Sequence, residues 1–217
     1  REDSSDFDDF LTKIIAATPP IFWILWNERK NEQTNKKTER TNENGIVQFV
    51  VIVGGVSGFG LAFGSGLAAI DAVIKMLEPG DEVISTNDLY GGTYRLFTKI
   101  FSKYGIKFHF TGMADASTVK DKVNANTKLI WVETPTNPMM NIIDIEAMSK
   151  VAKEAGALLV VDNTFATPYL QRPIELGADI VMHSATKYLA GHSDVVLGLL
   201  AVKDKEVADQ LYFIQNS

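Results

Sequence analysis

The stretch Ala178-Asp-Ile-Val-Met-His-Ser-Ala-Thr-Lys-Tyr-Leu-Ala-Gly-His192 decides how the rest of the chain is interpreted. Its apolar residues Ile180 to Met182 are typical of a short buried strand. Small polar residues follow at once and end in Lys187. A lysine amine just past a buried strand can bond covalently to an aldehyde cofactor, and the hydroxyls of Ser184 and Thr186 can bind that cofactor's phosphate. The alternative is an ordinary loop lysine in water.

A second predicted strand ends in an acid. Residues Leu158 to Asp162 are four apolar residues followed by an aspartate. Because strand ends in one parallel sheet can face one crevice, Asp162 and Lys187 can lie close together. A carboxylate there can pair with a pyridinium nitrogen while the lysine holds the aldehyde. This combination favours a covalent cofactor site over a solvated loop lysine.

Two long motifs carry a resemblance to a known family. Val161-Asp-Asn-Thr-Phe-Ala-Thr-Pro-Tyr169 and Ser184-Ala-Thr-Lys-Tyr-Leu-Ala-Gly-His-Ser-Asp194 resemble the Cys/Met-metabolism family of pyridoxal 5'-phosphate (PLP) enzymes. The similarity extends from about Gly60 to Ser217. It implies that residues 46–217 form the PLP-binding large domain of a fold-type I PLP-dependent transferase. The family's C-terminal domain, with its arginine for the substrate carboxylate, is expected to be absent.

The pattern of apolar residues supports an α/β fold on its own. Strands are predicted within 82–86, 106–110, 128–133, 157–162, 179–183 and 195–202, and helices within 65–77, before Gly105, and at 117–123, 145–155 and 205–214. Alternation of this kind predicts a mostly parallel sheet with helices on both faces.

A predicted helix start provides the other half of the phosphate site. Ser65 is a plausible N-cap, so the backbone N–H groups of Gly66 and Leu67 are free to bind phosphate. The resemblance implies this role for Gly66 and Leu67, together with Ser184 and Thr186. Plain helix capping is the alternative for this turn.

The resemblance also implies contacts around the cofactor ring and the substrate. Tyr90 is expected to stack on the pyridine ring and to act on protons of the substrate. Asn137 is expected to hydrogen-bond the phenolic oxygen of PLP. Independently of the resemblance, the position of Glu133 at the end of a predicted strand suggests that it supports the residues around it. Arg95 is assigned to substrate binding, although the residues alone favour a surface arginine. The alternatives are a core tyrosine for Tyr90 and a turn residue for Asn137.

A glycine-rich run raises a rival hypothesis. The apolar segment from Ile46 leads into Gly54-x-x-x-Gly58-x-Gly60, a pattern with which short-chain dehydrogenases bind NAD(P). Those enzymes also need a Tyr-x-x-x-Lys pair, and no tyrosine here has a lysine four residues later. A glycine-rich connection between a strand and a loop is therefore favoured.

Composition narrows the class of partner. The net charge of −6 argues against a nucleic-acid or anionic-membrane partner. Apolar runs are too short for a membrane span, and the three histidines are not at metal-ligand spacing. The lack of cysteine fits a reducing compartment, and we expect a cytoplasmic location. Residues 1–45 are divergent and are expected to be disordered, and their last part, residues 27–45, is almost entirely polar.

The resemblance implies a trans-sulfuration enzyme with a small amino-acid substrate and a homotetrameric assembly. The expected activity is cleavage of the Cγ–S bond of cystathionine to cysteine, 2-oxobutanoate and ammonia. Cystathionine γ-synthase and methionine γ-lyase are the alternatives within the family. An inactive fragment is an alternative of another class, because the substrate arginine and a Tyr-x-Arg motif for a neighbour's phosphate are not found.

Overall fold

The computed structural model describes residues 40–41, 47–53 and 56–217, with side chains from Gly58 onwards. The predicted disorder of residues 1–45 therefore falls outside the described residues, apart from Arg40–Thr41. In the part that is described, no helix has the length and apolar character that a membrane span needs.

The described residues form one nine-stranded sheet with strand order β1-β2-β3-β9-β8-β7-β6-β4-β5. From β3 onwards, six of the seven strands run in the same direction and β9 runs against them. The strands are β1 Arg40–Thr41, β2 Val47–Val53, β3 Val56–Phe63, β4 Glu82–Thr86, β5 Lys107–Thr111, β6 Thr127–Glu133, β7 Leu158–Asp162, β8 Ile180–Ser184 and β9 Gly198–Val202.

The described part of the chain contains six α-helices, of which the first five lie between strands and the sixth follows the last strand. They are α1 Gly66–Ile74, α2 Gly91–Arg95, α3 Ala116–Lys120, α4 Ile145–Ala155, α5 Thr167–Leu170 and α6 Lys205–Gln215. The predicted helix before Gly105 is α2 continued by a π-turn at Leu96–Ile100 and a 3-10 turn at Phe101–Tyr104. It ends at Gly105, whose φ of 85° is the left-handed conformation common at helix ends.

The core consists of two apolar layers, one on each face of the sheet. Helices α1 and α6 cover one face, and α3 and α4 cover the other. Alternate residues of one strand enter opposite layers, as Leu129 and Ile130 of β6 do. Strands that are apolar on both faces are typical of a parallel sheet buried between helices. The predicted α/β fold with helices on both faces is therefore confirmed.

The glycine-rich run does not form the connection that was predicted for it. Gly58 and Gly60 lie inside β3, which pairs antiparallel with β2 and with β9. A dinucleotide-binding turn would instead open directly into a helix, whereas β3 continues to Phe63 and α1 begins at Gly66. Both the strand-to-loop interpretation and the dehydrogenase alternative are thus wrong for Gly58 and Gly60, and Gly54 lies outside the described residues.

Candidate active site

A cavity of about 320 Å³ lies where β6, β7 and β8 end, at the carboxyl edge of the parallel strands. The apolar runs of these strands end in Glu133, Asp162 and Ser184, which places polar groups at this edge. Eight of the nine predicted site residues line the cavity: Gly66, Leu67, Tyr90, Asn137, Asp162, Ser184, Thr186 and Lys187. Arg95 does not line it and has an exposed side chain at the end of α2.

One end of the cavity is the N-terminus of α1. The Ser65 hydroxyl accepts a hydrogen bond from the Ala68 N–H at 3.1 Å, so the predicted N-cap is confirmed. The N–H groups of Gly66 and Leu67 precede any possible intrahelical acceptor. They lie at the positive end of the helix dipole, which favours an anion such as phosphate.

Two glycines let the elements around this end approach closely. A Cβ on Gly66 would lie 2.8 Å from the Ser184 Cβ, and a Cβ on Gly198 would lie 2.6 Å from the Ser65 carbonyl carbon. The start of α1 therefore packs directly on the end of β8 and the start of β9. The sequence analysis did not identify Gly198 as important, although a glycine inside an apolar run can indicate close backbone approach.

Asp162 lies at the other end, on the last residue of β7, with 5% of its surface exposed. Thr164 donates two hydrogen bonds to its Oδ1, from the backbone N–H at 3.0 Å and from the hydroxyl at 2.6 Å. Burial raises the pKa of Asp162, and the two Thr164 hydrogen bonds act against that rise. A cation beside this carboxyl would favour its ionised form.

Glu133 is the neighbour of Asp162 in the register between β6 and β7. Its Oε2 accepts a hydrogen bond from the Tyr90 N–H at 2.9 Å, which ties the start of α2 to the sheet. Burial, followed by the charge of Asp162, raises the pKa of Glu133. Two neighbouring buried carboxyls disfavour each other's ionised form, and a bound cation would relieve that repulsion.

Tyr90 and Asn137 reach the cavity from loops beside Glu133. The Tyr90 side chain lines the cavity and remains 42% exposed. A Cβ on Gly92 would lie 2.9 Å from Tyr90 Cζ, so Gly92 leaves room for the ring to fold over its own helix. The backbone N–H of Asn137 also binds Glu133. Glu133 thus supports both residues, as the sequence predicted.

Lys187 follows β8 in a tight turn. Its N–H donates to the Ser184 carbonyl at 3.1 Å, and its own carbonyl accepts from the Gly191 N–H at 2.8 Å. The side chain is exposed at the cavity, and among the described residues no hydrogen bond or ion pair engages its amine. The amine is therefore available for a covalent bond to a ligand.

Thr186 has a second contact that the sequence did not predict. Its hydroxyl accepts from the Leu197 N–H at 3.0 Å and donates to the Leu197 carbonyl at 3.3 Å. This pair ties the lysine turn to the residue just before β9. Ser184 lines the cavity beside it.

Several lining residues were missed by the sequence analysis, notably Thr164, Phe165, Met182 and Val196. Thr164 follows the strand-end Asp162 by two residues, the position that a short aspartate side chain commonly binds in a turn. That spacing was a usable signal. The apolar residues had none, because an apolar side chain at a cavity looks like a core residue in sequence.

The fold and the cavity together define a fold-type I α/β domain with a lysine beside an anion site and a buried carboxylate. The family profile described as "Cys/Met metabolism PLP-dependent enzyme" matches residues 40–217. The chain therefore belongs to the Cys/Met-metabolism family of PLP-dependent enzymes, whose cofactor is PLP.

Proteins similar to this chain have several names. It is 53% identical over 158 residues to a Bacillus subtilis protein named cystathionine γ-synthase/O-acetylhomoserine (thiol)-lyase, covering 73% of this chain and 42% of that protein. It is 52% identical over 164 residues to cystathionine β-lyase MetC of the same organism, covering 76% and 42%. The solved structure of cystathionine γ-lyase from Lactobacillus plantarum has a TM-score of 0.72 at 44% identity, covering 73% and 42%. The chain thus spans about two fifths of the length of these relatives.

The residues present fit PLP. Three features meet in one cavity: free helix N–H groups for a phosphate, a carboxylate for a ring nitrogen, and an amine for an aldehyde. Gly66 lets the start of α1 pack directly against Ser184 at the anion end, because a larger residue would collide with that side chain. The donor set therefore matches the three polar ends of this cofactor.

Proposed function

We propose that this chain is the PLP-binding part of a trans-sulfuration enzyme that cleaves the Cγ–S bond of cystathionine. With one water, the products are cysteine, 2-oxobutanoate and ammonia. The main support is the meeting of Lys187, Asp162 and the free N–H groups of Gly66 and Leu67 in one cavity. Members of the family act on small amino-acid substrates.

The cofactor-holding roles follow from the chemistry of each group. When bound, PLP supplies an electron sink that stabilises negative charge at the substrate Cα. Lys187 would hold it covalently, and Asp162 would keep its ring nitrogen protonated. Gly66 and Leu67 would bind the phosphate through their N–H groups, together with Ser184 and Thr186. Asn137 would donate to the phenolic oxygen.

The substrate-directed roles fall to Lys187 and Tyr90. Once the substrate amine has taken its place, the Lys187 amine can remove the proton from Cα and move protons at Cβ, so that sulfur leaves from Cγ. Tyr90 lies beside this region and would cover the ring and assist proton transfer. Arg95 would reach the substrate only if its side chain turned from its exposed position.

The first test locates the covalent bond. The chain is loaded with PLP, reduced with borohydride and mapped by peptide mass spectrometry. We expect the pyridoxyl label on Lys187, no label in Lys187→Arg, and unchanged labelling in the control Lys203→Arg, which alters an exposed lysine after β9. A label on another lysine, with Lys187 unmodified, would contradict the assignment.

A second candidate is cystathionine γ-synthase, favoured by the 53% identical relative with that name. Both reactions would use the same lysine and carboxylate. Product analysis separates them: the lyase releases cysteine, 2-oxobutanoate and ammonia from cystathionine, whereas the synthase replaces the acyloxy group of an O-acylated homoserine by the sulfur of cysteine and releases the carboxylate with cystathionine. Release of homocysteine and pyruvate instead would indicate cleavage at Cβ and would contradict both.

The homo-oligomeric assembly and cytoplasmic location stay predictions. Support for the assembly comes from apolar side chains beside the cavity that remain largely exposed. Leu170 is 76% exposed and Tyr188 is 65% exposed. Apolar groups clustered on a surface are typical of protein contacts.

A further inference from the structure

The Thr164 side chain joins the two strand ends that carry the predicted cofactor-binding groups. Its hydroxyl donates to Asp162 Oδ1 at 2.6 Å and accepts from the Ser184 N–H at 2.9 Å. Asp162 ends β7, and Ser184 ends β8 and begins the turn to Lys187. One hydroxyl thus connects the carboxylate end of the cavity with the lysine turn.

These bonds also distinguish the two oxygens of Asp162. The Thr164 N–H binds Oδ1 as well, at 3.0 Å, so both donors of Thr164 are directed to the same oxygen. Among the described residues no hydrogen bond engages Oδ2. A ring nitrogen that approaches Asp162 therefore finds Oδ2 unoccupied and the carboxyl held against rotation by two bonds.

We infer that Thr164 is a positioning residue that orients Asp162, presents Oδ2 to the cofactor's ring nitrogen, and holds the Ser184–Lys187 turn in register with it. This inference rests on the proposed function. Thr164 reaches the reaction only through Asp162 and Ser184, and its side chain combines the two tasks because its hydroxyl both donates and accepts.

The charge on Asp162 should depend on Thr164 as well. Hydrogen bonds to a carboxylate favour its ionised form, so removal of the hydroxyl should raise the pKa of Asp162. The other titratable groups around it are Glu133 from β6, Tyr90 just before α2 and Lys187 after β8, which line the same cavity, with buried His183 next along β8. These groups stay unchanged in a Thr164 variant, so a difference in the pKa of Asp162 between variants is due to the Thr164 hydroxyl.

The experiment compares Thr164→Val, which has a similar shape and no hydroxyl, with Thr164→Ser, which keeps the hydroxyl. Thr164→Ala is a second variant without the hydroxyl in case valine does not fold. Thr118→Val is the control, because the Thr118 hydroxyl binds carbonyls far from the cavity. Circular dichroism verifies folding in each case.

The first measurement is the titration of Asp162 in the cofactor-free chain, by carbon-13 NMR of labelled aspartate assigned with Asp162→Asn. We expect Thr164→Val to move the midpoint up by about one pH unit, the scale of one hydrogen bond to a charged group. Thr164→Ser and the control should keep the parent midpoint. An unchanged midpoint in both valine and alanine variants would overturn the inference.

The second measurement is PLP affinity by absorbance titration. We expect Thr164→Val to bind PLP roughly tenfold more weakly at neutral pH and serine to restore the affinity, a change that corresponds to about 1.4 kcal/mol. Equal weakening in serine and valine variants would indicate packing alone and overturn the inference. If the parent chain binds no PLP, the proposed function fails, whereas the NMR titration still decides whether Thr164 controls Asp162.

Discussion

Replacing Gly198 by alanine should both destabilise the fold and weaken PLP binding, since Gly198 lies where three elements meet. It is the first residue of β9 and pairs with Phe63 of β3 and Ser184 of β8. A Cβ on Gly198 would lie 2.6 Å from the Ser65 carbonyl carbon and 3.0 Å from the Gly66 nitrogen. The obstacle is therefore the backbone at the start of α1, which cannot rotate away as a side chain can.

The size of the effect follows from these distances. Ordinary van der Waals contact to a Cβ begins near 3.4 Å. Either β9 or the start of α1 must therefore move or distort by on the order of 1 Å. We expect this to cost about 3 kcal/mol of stability, the upper end of the usual cost of overpacking. The lower backbone entropy of unfolded alanine offsets at most about 1 kcal/mol. The net loss should lower the melting temperature by roughly 4–12 °C for a domain of this size. Movement of Gly66 and Leu67 should also weaken PLP binding about tenfold or more.

The assay is thermal unfolding of the cofactor-free chain together with absorbance titration of PLP. Gly64→Ala is the matched control, because it adds the same methyl group one residue before the helix cap with no atom within 4 Å of its Cβ. We expect the control to bind PLP as the parent chain does, and to unfold at the parent's temperature or slightly above it, because it gains the same unfolded-state effect of alanine without a collision. If Gly198→Ala unfolds at the same temperature as Gly64→Ala and binds PLP as the parent does, the close approach of β9 to α1 is wrong.

Two further substitutions test separate parts of the chain. Hydrogen bonds from Asn124 and His109 lower the pKa of Glu82 to about 2 from an ordinary value of 4.5, so its stabilising effect is complete above pH 4.5 and is lost as the pH falls towards 2. In urea unfolding, Glu82→Gln should therefore have a lower free energy of unfolding than the parent chain at pH 7, and this difference should shrink towards pH 2. The exposed control Glu78→Gln should show no such pH-dependent difference, and a loss of stability in Glu82→Gln that is independent of pH would contradict the reasoning. Asp162→Asn should retain PLP but lose most turnover, because a neutral partner no longer favours the protonated ring nitrogen, and undiminished turnover would make Asp162 only structural.

The parallel half of the sheet could be predicted from local patterns. Apolar runs such as Leu159 to Val161 are buried on both faces, and each ends in a polar residue at the same edge. The antiparallel half could not. The sequence predicts one strand over Val195–Val202, but only Gly198–Val202 forms one. Leu197 is left out because its N–H donates to the Thr186 hydroxyl. Such a contact between distant residues leaves no local pattern in the sequence.

The candidate site also contains residues that local sequence patterns predict and residues that they do not. Its aspartate could be found because Asp162 directly follows an apolar run, and its lysine because Lys187 ends the short polar segment that follows the next apolar run. Arg95 could not be placed, because the direction of its side chain depends on α2, where the guanidinium lies 3.5 Å from the Cβ position of Gly91 on its own helix. A short helix that continues as a π-turn has no regular apolar stripe from which to infer its orientation.

The contacts of Ser184 show why the two ends of the cavity cannot be treated as independent sites. Its side chain packs against Gly66 at the anion end, while its N–H is held by Thr164 at the carboxylate end. The next turn of backbone starts from its carbonyl, which accepts the Lys187 N–H. A displacement at either end therefore reaches the lysine through one residue, and contacts that share a partner do not act additively. The backbone turn that carries Lys187 is thus held by the anion end and the carboxylate end together, although Gly66 and Thr164 both lie far from it in the sequence.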